Sequence, residues 1–509
     1  MLLWSVAGIQ PAASAEEDSA SQKRILEYRT EAQGSFSSGS TPLWLNANKY
    51  GLSSLESVNG YMRASVASQP DKRKKWDYGY GVDVVLPYHY TSDFVVQQLY
   101  AEMRFLHGVL TVGSKEYPAE LKDNALSSGS QTLGINARPV PQIRVALPEY
   151  WTVPLLKGWL HLKGHLAYGR YTDDRWQHQW TSRQHSYTDH VLYHSKACYL
   201  KIGKREKSPL SLELGIETAT QFGGVSHVYD QYGNYARYKN KSNLGAYWDA
   251  LLFQGNDVYE DIYKNAGGNT VGSWLARVNY ENDKTAVRIY ADHFFEDHSG
   301  LFFLCKGGYG KDGDWNKRSA NHMVGYALKD IMLGADVELK NNRWLNHIVL
   351  EYLYTKYQSG PLYHEHGQQI YDQISGRDDY YNNYLYPGWQ HWGQVVGNPL
   401  YRSLLYNNTG TVDCRNNRFQ ALHLGVSGSV LENLHYKLLA TYQQSFGTYN
   451  YPVSRPQDNF YGMLELDYAF KGKLKGWEIR NAWGLDAGKT LGDNRGVQLS
   501  IIKKGVISY

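Results

Sequence analysis

The chain has 509 residues and a formal net charge of +4 with no basic block, which leaves no footprint for a nucleic-acid partner. No run approaches the roughly 18 to 20 apolar residues of a membrane-crossing helix, so helical spans are excluded. The 44 Tyr and 15 Trp against only 6 Met suit aromatic girdles at two membrane interfaces, or sugar-binding surfaces.

In chain order, Leu2 to Ile9 is a short apolar segment, followed by Pro11 and a small-x-small site at Ala13, Ser14 and Ala15. Residues 1–15 read as a signal-peptide remnant, with the mature chain starting near Glu16. Residues 16–42 read as a polar periplasmic segment with one short helix around Lys23 to Tyr28. From Leu43 to Tyr509 the pattern is that of a barrel. Trp76, Tyr78, Tyr80, Val82 and Val84 alternate with Asp77, Gly79, Gly81 and Asp83. Leu210, Leu212, Leu214 and Ile216 alternate with Ser211, Glu213 and Glu217, and Leu464, Leu466, Tyr468 and Phe470 alternate with Glu465, Asp467 and Ala469. Many stripes run roughly ten residues, longer than the five or six usual in a soluble sandwich. The last strand, 497–509, is apolar on one face and polar on the other, broken only by Lys503; it is what a barrel needs to close, since no edge is left unpaired in lipid.

Connections alternate in length. Short ones fall at 70–75, 107–108, 204–208, 281–284, 340–346, 429–433 and 471–476; long ones fall at 171–194, 222–272, 295–330 and 358–417. Counting back from a periplasmic C-terminus puts every short one in the periplasm and every long one outside, as in outer-membrane barrels. The expected fold is all-β: a transmembrane antiparallel β-barrel of about 18 strands with long extracellular loops, monomeric, in the outer membrane of a Gram-negative bacterium. Its implied partners are outer-membrane lipid and, during biogenesis, the barrel-assembly machinery.

The long loops hold rings and cations suited to sugar hydroxyls and uronates: Trp176, Trp180, Arg183, Tyr380, Tyr384, Trp389, His391, Trp392 and Arg402. Inward charges such as Glu213, Glu217, Arg288, Asp292, Glu478 and Arg480 suit either a pore lining or a salt-bridge network, so a porin-like channel for sugars or other small solutes is the alternative function. Catalytic signals are weak: Gly308-x-Gly310-x-x-Gly313 lacks a strand-to-helix setting, His364-Glu365-His366 lacks zincin spacing, and Asp312 and Asp314 lack a spaced third ligand. No enzyme, cofactor or metal is expected. Cys198, Cys305 and Cys414 allow at most one disulfide and read as incidental thiols.

The run Gly134-Ile135-Asn136-Ala137-Arg138-Pro139-Val140-Pro141-Gln142-Ile143-Arg144-Val145 resembles the signature of the Wzi-type capsule assembly proteins. Further pieces follow in that family's order: Gln221 to Gly224, Phe294 to Leu301 including Glu296 and Asp297, Glu351 to Pro361, Gly388-Trp389, Gly397 to Leu400, and Asn417-Arg418. The resemblance implies a non-enzymatic, lectin-like barrel that binds capsular or other surface polysaccharide and retains it on the cell. Arg138, Pro139, Pro141, Gln142, Arg144, Glu296 and Asp297 are then structural motif residues, with Arg138 paired to a lumen carboxylate.

Overall fold

The structure, a computed structural model, describes residues 24–154, 156–230, 232–252, 254, 267–296, 309–311, 314–318, 330–358 and 378–508. Residues 1–15, Asp297, Cys305, Asp312 and His364 to His366 lie outside the described residues.

Eighteen antiparallel strands form one closed sheet. We number them β1 (Ile25–Ser38), β2 (Val58–Ser68), β3 (Trp76–Tyr88), β4 (Val95–Phe105), β5 (Gly108–Ser114), β6 (Gln142–Thr152), β7 (Leu160–Arg170), β8 (Leu192–Ile202) and β9 (Leu210–Phe222). They continue as β10 (Asn269–Glu281), β11 (Thr285–Glu296), β12 (Ile331–Leu339), β13 (His347–Tyr354), β14 (Phe419–Leu431), β15 (Leu434–Gly447), β16 (Pro452–Ala469), β17 (Trp477–Gly488) and β18 (Asn494–Ser508). Each strand pairs with the next, and β1 closes on β18 from Ile25 opposite Ser508 to Ser38 opposite Arg495. Ile25 and Ser508 therefore sit at one rim, the terminal end.

Alternation decides which way each strand faces. Leu86, Leu99, Ile289, Leu350 and Leu499 point out and stay about half exposed, whereas Glu31, Asp83, Glu213, Glu351 and Ser500 point in and are buried. In water each such leucine would forgo about 1 kcal/mol of burial, so the outer belt is a lipid-facing surface. Lys503, the break in the last stripe, reaches toward the terminal rim, where its ammonium donates to the Lys475 carbonyl at 2.9 Å and lies 5.5 Å from the Trp477 ring.

Two expectations change near the start. The stretch expected to hold a short helix is β1, whose outward residues Thr30, Ala32 and Gly34 dilute the apolar stripe without breaking the pleat. Leu43–Asn46, where the β-pattern was expected to begin, is a short helix, α1, in the β1–β2 loop. Its Leu43 amide donates to the Asp486 carboxylate at 3.1 Å and its Trp44 Nε1 to Thr441 Oγ1 at 3.1 Å, so it is anchored inside the barrel.

Connections at the terminal end are all short. At the far end lie the long ones, 39–57, 115–141, 171–191, 223–268, 297–330 and 355–418, with three short exceptions at 89–94, 448–451 and 489–493. The 171–191 loop carries α2 (Asp174–Trp180), and the 223–268 loop carries α3 (Leu244–Leu252).

Candidate functional site

Three far-end loops fold into the lumen and meet: 39–57, 115–141 and the part of 355–418 that follows residue 378. A loop buried in a barrel must satisfy its backbone polar groups without water. Here wall side chains and other loops do so. Glu351 on β13 accepts from the Ser128 amide at 2.7 Å and the Ser127 hydroxyl at 2.5 Å. Lys122 and Asp292, both buried, pair at 2.5 Å. The Tyr381 hydroxyl donates to the Gln131 carbonyl and accepts from the Asn398 amide at 3.1 Å. Glycine is required where the loops touch: a Cβ at Gly397 would overlap the Tyr381 hydroxyl, and one at Gly134 would lie 2.6 Å from the Gly397 carbonyl oxygen.

The sequence candidates fall mostly inside this plug. Trp176, Tyr380, Trp389 and His391 are buried. His391 Nδ1 donates to the Arg138 carbonyl at 2.9 Å while its Nε2 accepts from the Thr172 amide at 3.2 Å. Trp180 is half-buried, stacks on Trp176 at 5.7 Å, and donates through Nε1 to the Thr411 carbonyl. Arg402 donates to the Tyr406 carbonyl at 2.5 Å, and Trp392 donates to Thr172 Oγ1 at 3.1 Å. Only Arg183 and Tyr384 of the nine are exposed. Packing of loop onto loop explains these rings, because burying an aromatic side chain outweighs leaving it at the rim.

Below the plug, toward the terminal end, lies a cavity of about 1070 Å³. It runs from the β2–β3 turn at Pro70 and the irregular stretch of β6 at Pro148 up to Gly134, Arg138 and Val396 of the inward loops. Most charges lining it are paired: Lys115 with Glu102 at 2.6 Å, Lys163 with Glu120 at 2.7 Å, and Glu116 with Arg63 at 3.2 Å. Deeper pairs join Arg277 to Glu213 at 2.6 Å, Arg288 to Asp336 at 3.0 Å, and Arg480 to Asp467 at 2.9 Å, while Lys504 pairs with Glu478. Glu217 is held by the Tyr199 hydroxyl at 2.6 Å. The inward charges thus build a salt-bridge network.

Arg144 on β6 differs. It lines the cavity, its guanidinium lies 3.9 Å from the Tyr117 ring centre, and among the described residues it makes no ion pair and its Nε has no hydrogen-bond partner. Arg138, expected to meet a carboxylate, instead donates to Ser92 at 2.9 Å and Thr91 at 2.8 Å and stacks on Trp392 at 4.4 Å. Burial lowers its pKa to about 10. Of the other motif residues, the Pro139 carbonyl accepts from Ser114 at 3.2 Å, the Pro141 carbonyl from the Arg170 amide at 3.2 Å, and Glu296 from the Tyr381 amide at 3.3 Å; Gln142 lines the cavity. Cys198 and Cys414 are both free, the first exposed and the second buried.

No family model and no curated protein matches the chain. Among solved structures it is similar to OccAB4 of Acinetobacter baumannii, at 10% identity over 96% of this chain and 99% of that one, with a TM-score of 0.43. It is likewise similar to OprD of Pseudomonas aeruginosa, at 10% identity over 96% and 98%, TM-score 0.45, and to outer membrane protein opdK of the same organism, at 8% over 95% and 99%, TM-score 0.45. The chain is an outer-membrane β-barrel of a Gram-negative bacterium. Its outer belt meets lipid.

The resemblance to Wzi-type capsule assembly proteins is corrected by these findings, and so is the polysaccharide anchor that it implied: the matches are to OccAB4, OprD and opdK. The signature run is a packing device of the lumen, in which Gly134 permits close loop approach and Arg138 ties the 115–141 loop to the β3–β4 turn. The aromatic residues that suggested a sugar surface are mostly interior.

Proposed function

We propose that this barrel is a solute-selective channel, passing small polar solutes with an anionic group and working as a monomer without enzymatic chemistry. The observation that carries the reading is Arg144, a guanidinium with no ion pair among the described residues, in a charged cavity on the periplasmic side of a narrowed lumen. The cavity volume lies just above that of typical small-molecule sites, about 300–1,000 Å³. A guanidinium without a protein carboxylate keeps its donors for a carboxylate or phosphate on the solute. Most neighbouring charges are neutralised in pairs, and Arg138, which lines the same cavity, spends its donors on Thr91 and Ser92, so Arg144 is the cation left to meet the solute. The packed loops above make permeation slow and selective rather than open, since transit requires the 115–141 and 379–418 segments to part.

Proteoliposome swelling tests this. Vesicles carrying the purified barrel should admit small monocarboxylates faster than cations or neutral sugars of equal size. Swelling equal to that of protein-free vesicles for every solute would sink the channel reading.

A further inference from the structure

The lipid-facing side of β9 changes character along its length. From the periplasmic end its outward residues are Leu210, Leu212, Leu214 and Ile216, then Thr218 and Thr220 before Phe222. On β8 the outward face passes from Ile202 and Leu200 through Cys198 to Lys196 and His194, which lie opposite Thr218 and Thr220. Elsewhere large apolar side chains reach the same rim on the outward face, at Phe36, Leu86, Val96 and Val497, each more than a third exposed, and the outward polar run of Gln420, Gln444 and Asp458 on β14 to β16 is hydrogen-bonded within itself. Polar side chains high on one sector of a lipid-facing wall call for a cover. They have one: His194, Thr218 and Thr220 are no more than 2% exposed.

Helix α3 packs on the outside of this sector. Ala246 and Ala250, its buried small residues, join a cluster with Phe222, Tyr168 and Leu192, all outward-facing. The Tyr168 hydroxyl donates to the Tyr247 carbonyl at 2.8 Å. Lys196 donates to the carbonyls of Ala250, at 3.2 Å, and Leu251, so the last turn of the helix receives a cation where its dipole favours one and the lysine is not left facing lipid. The opposite stripe of α3 is Leu244, Trp248 and Leu252, spaced four apart and 83%, 62% and 53% exposed.

We propose that α3 is a lipid-facing element: it lies against the outer wall near the extracellular rim, and its Leu244, Trp248 and Leu252 stripe contacts the acyl chains of the outer leaflet. The argument is continuity. The barrel's apolar belt is interrupted where β8 and β9 turn polar, and the exposed stripe of α3 stands in front of that interruption, with a tryptophan placed as in the aromatic girdles of such barrels. The helix thereby seals a polar patch and restores the belt in one step. The same stripe facing water, or covered by a second copy of the barrel, would be a different arrangement.

Spin-label accessibility distinguishes them. In the full chain with Cys198, Cys305 and Cys414 replaced by alanine, a nitroxide is attached at Trp248→Cys, and in separate proteins at Leu252→Cys, at Leu86→Cys on the lipid wall, and at Tyr232→Cys on an exposed loop tip. Each is reconstituted in phospholipid vesicles, and collision with oxygen is compared with collision with a water-soluble nickel chelate. The ratio at 248 and 252 should match that at 86 and exceed that at 232 severalfold. A ratio matching 232 overturns the proposal, as does dipolar broadening between labels of different copies. Reading both 248 and 252 keeps the test decisive if either variant fails to fold.

Discussion

The two halves of the lumen are built on different physics. The far-end half is filled by neutral rings and loop backbone: Tyr381, Trp389, Tyr401 and Phe419 are wholly buried, with Tyr381 and Tyr401 4.2 Å apart between ring centres. The terminal-end half is held apart by charges in register around a cavity. Apolar rings close a space because their contact is non-directional and grows with buried area. Ion pairs keep a space open, because each pair retains hydrogen-bonding capacity that dry packing would waste. One wall therefore carries both a plug and a vestibule.

The sharpest way to break that contrast is to unfasten the plug where it borrows a charge from the wall. Lys122→Met leaves Asp292 buried and unpaired, at a cost of about 3–5 kcal/mol. Residues 115–141 should lose hydrogen-exchange protection while the strands keep theirs; unchanged protection would show that the pair does not hold the loop. Tyr381→Phe is a milder cut, removing one of several links between the 115–141 and 379–418 loops at about 1–2 kcal/mol. Its expected outcome is faster solute entry in swelling assays with the barrel still heat-modifiable on gels.

Acid should act on the same plug. Burial holds the His391 pKa below its ordinary value of about 6.5. Its Nε2 accepts a backbone hydrogen bond, so protonation there breaks that bond. The folded value being depressed, stability is complete above about pH 6.5 and falls as the pH drops from there toward the folded pKa. Loop protection factors, taken relative to intrinsic exchange at each pH, should fall from pH 7.5 to 5.5 in the wild type and not in His391→Gln. The smallest effect belongs to Tyr384→Ala at the exposed rim, within about 0.5 kcal/mol by thermal unfolding and without change in permeation.

Much of the wall is legible in the sequence, because a strand buried on one face and lipid-facing on the other must alternate, and the closing strand 497–509 shows that alternation at its plainest. β1 was hidden because Ala32 and Gly34 supply little apolar signal, although their place opposite Ile501 and Leu499 makes them part of the belt. α1 was hidden because Leu43, Trp44 and Leu45 are apolar on every side, which suits a helix end swallowed by the lumen as well as a strand. The 115–141 loop carries a signal that could have been used: Ser127, Ser128, Ser130, Gln131 and Thr132 are many hydrogen-bonding groups with few charges, as a loop buried among wall carboxylates requires. The site was harder to see. Trp389 and His391 look like ligand-binding rings in a list of loop residues, and only the fold turns them inward. Arg144 was singled out within the signature run, yet the absence of an acidic partner among the described residues arises from contacts between β6 and its neighbours that no local pattern encodes.

The most direct test of the account compares monocarboxylate entry into vesicles carrying the wild type or Arg144→Gln, with a neutral sugar as reference. The account predicts that the variant folds as the wild type does, loses its preference for the anion, and admits the sugar at an unchanged rate. Retention of the full anion preference by Arg144→Gln would contradict it.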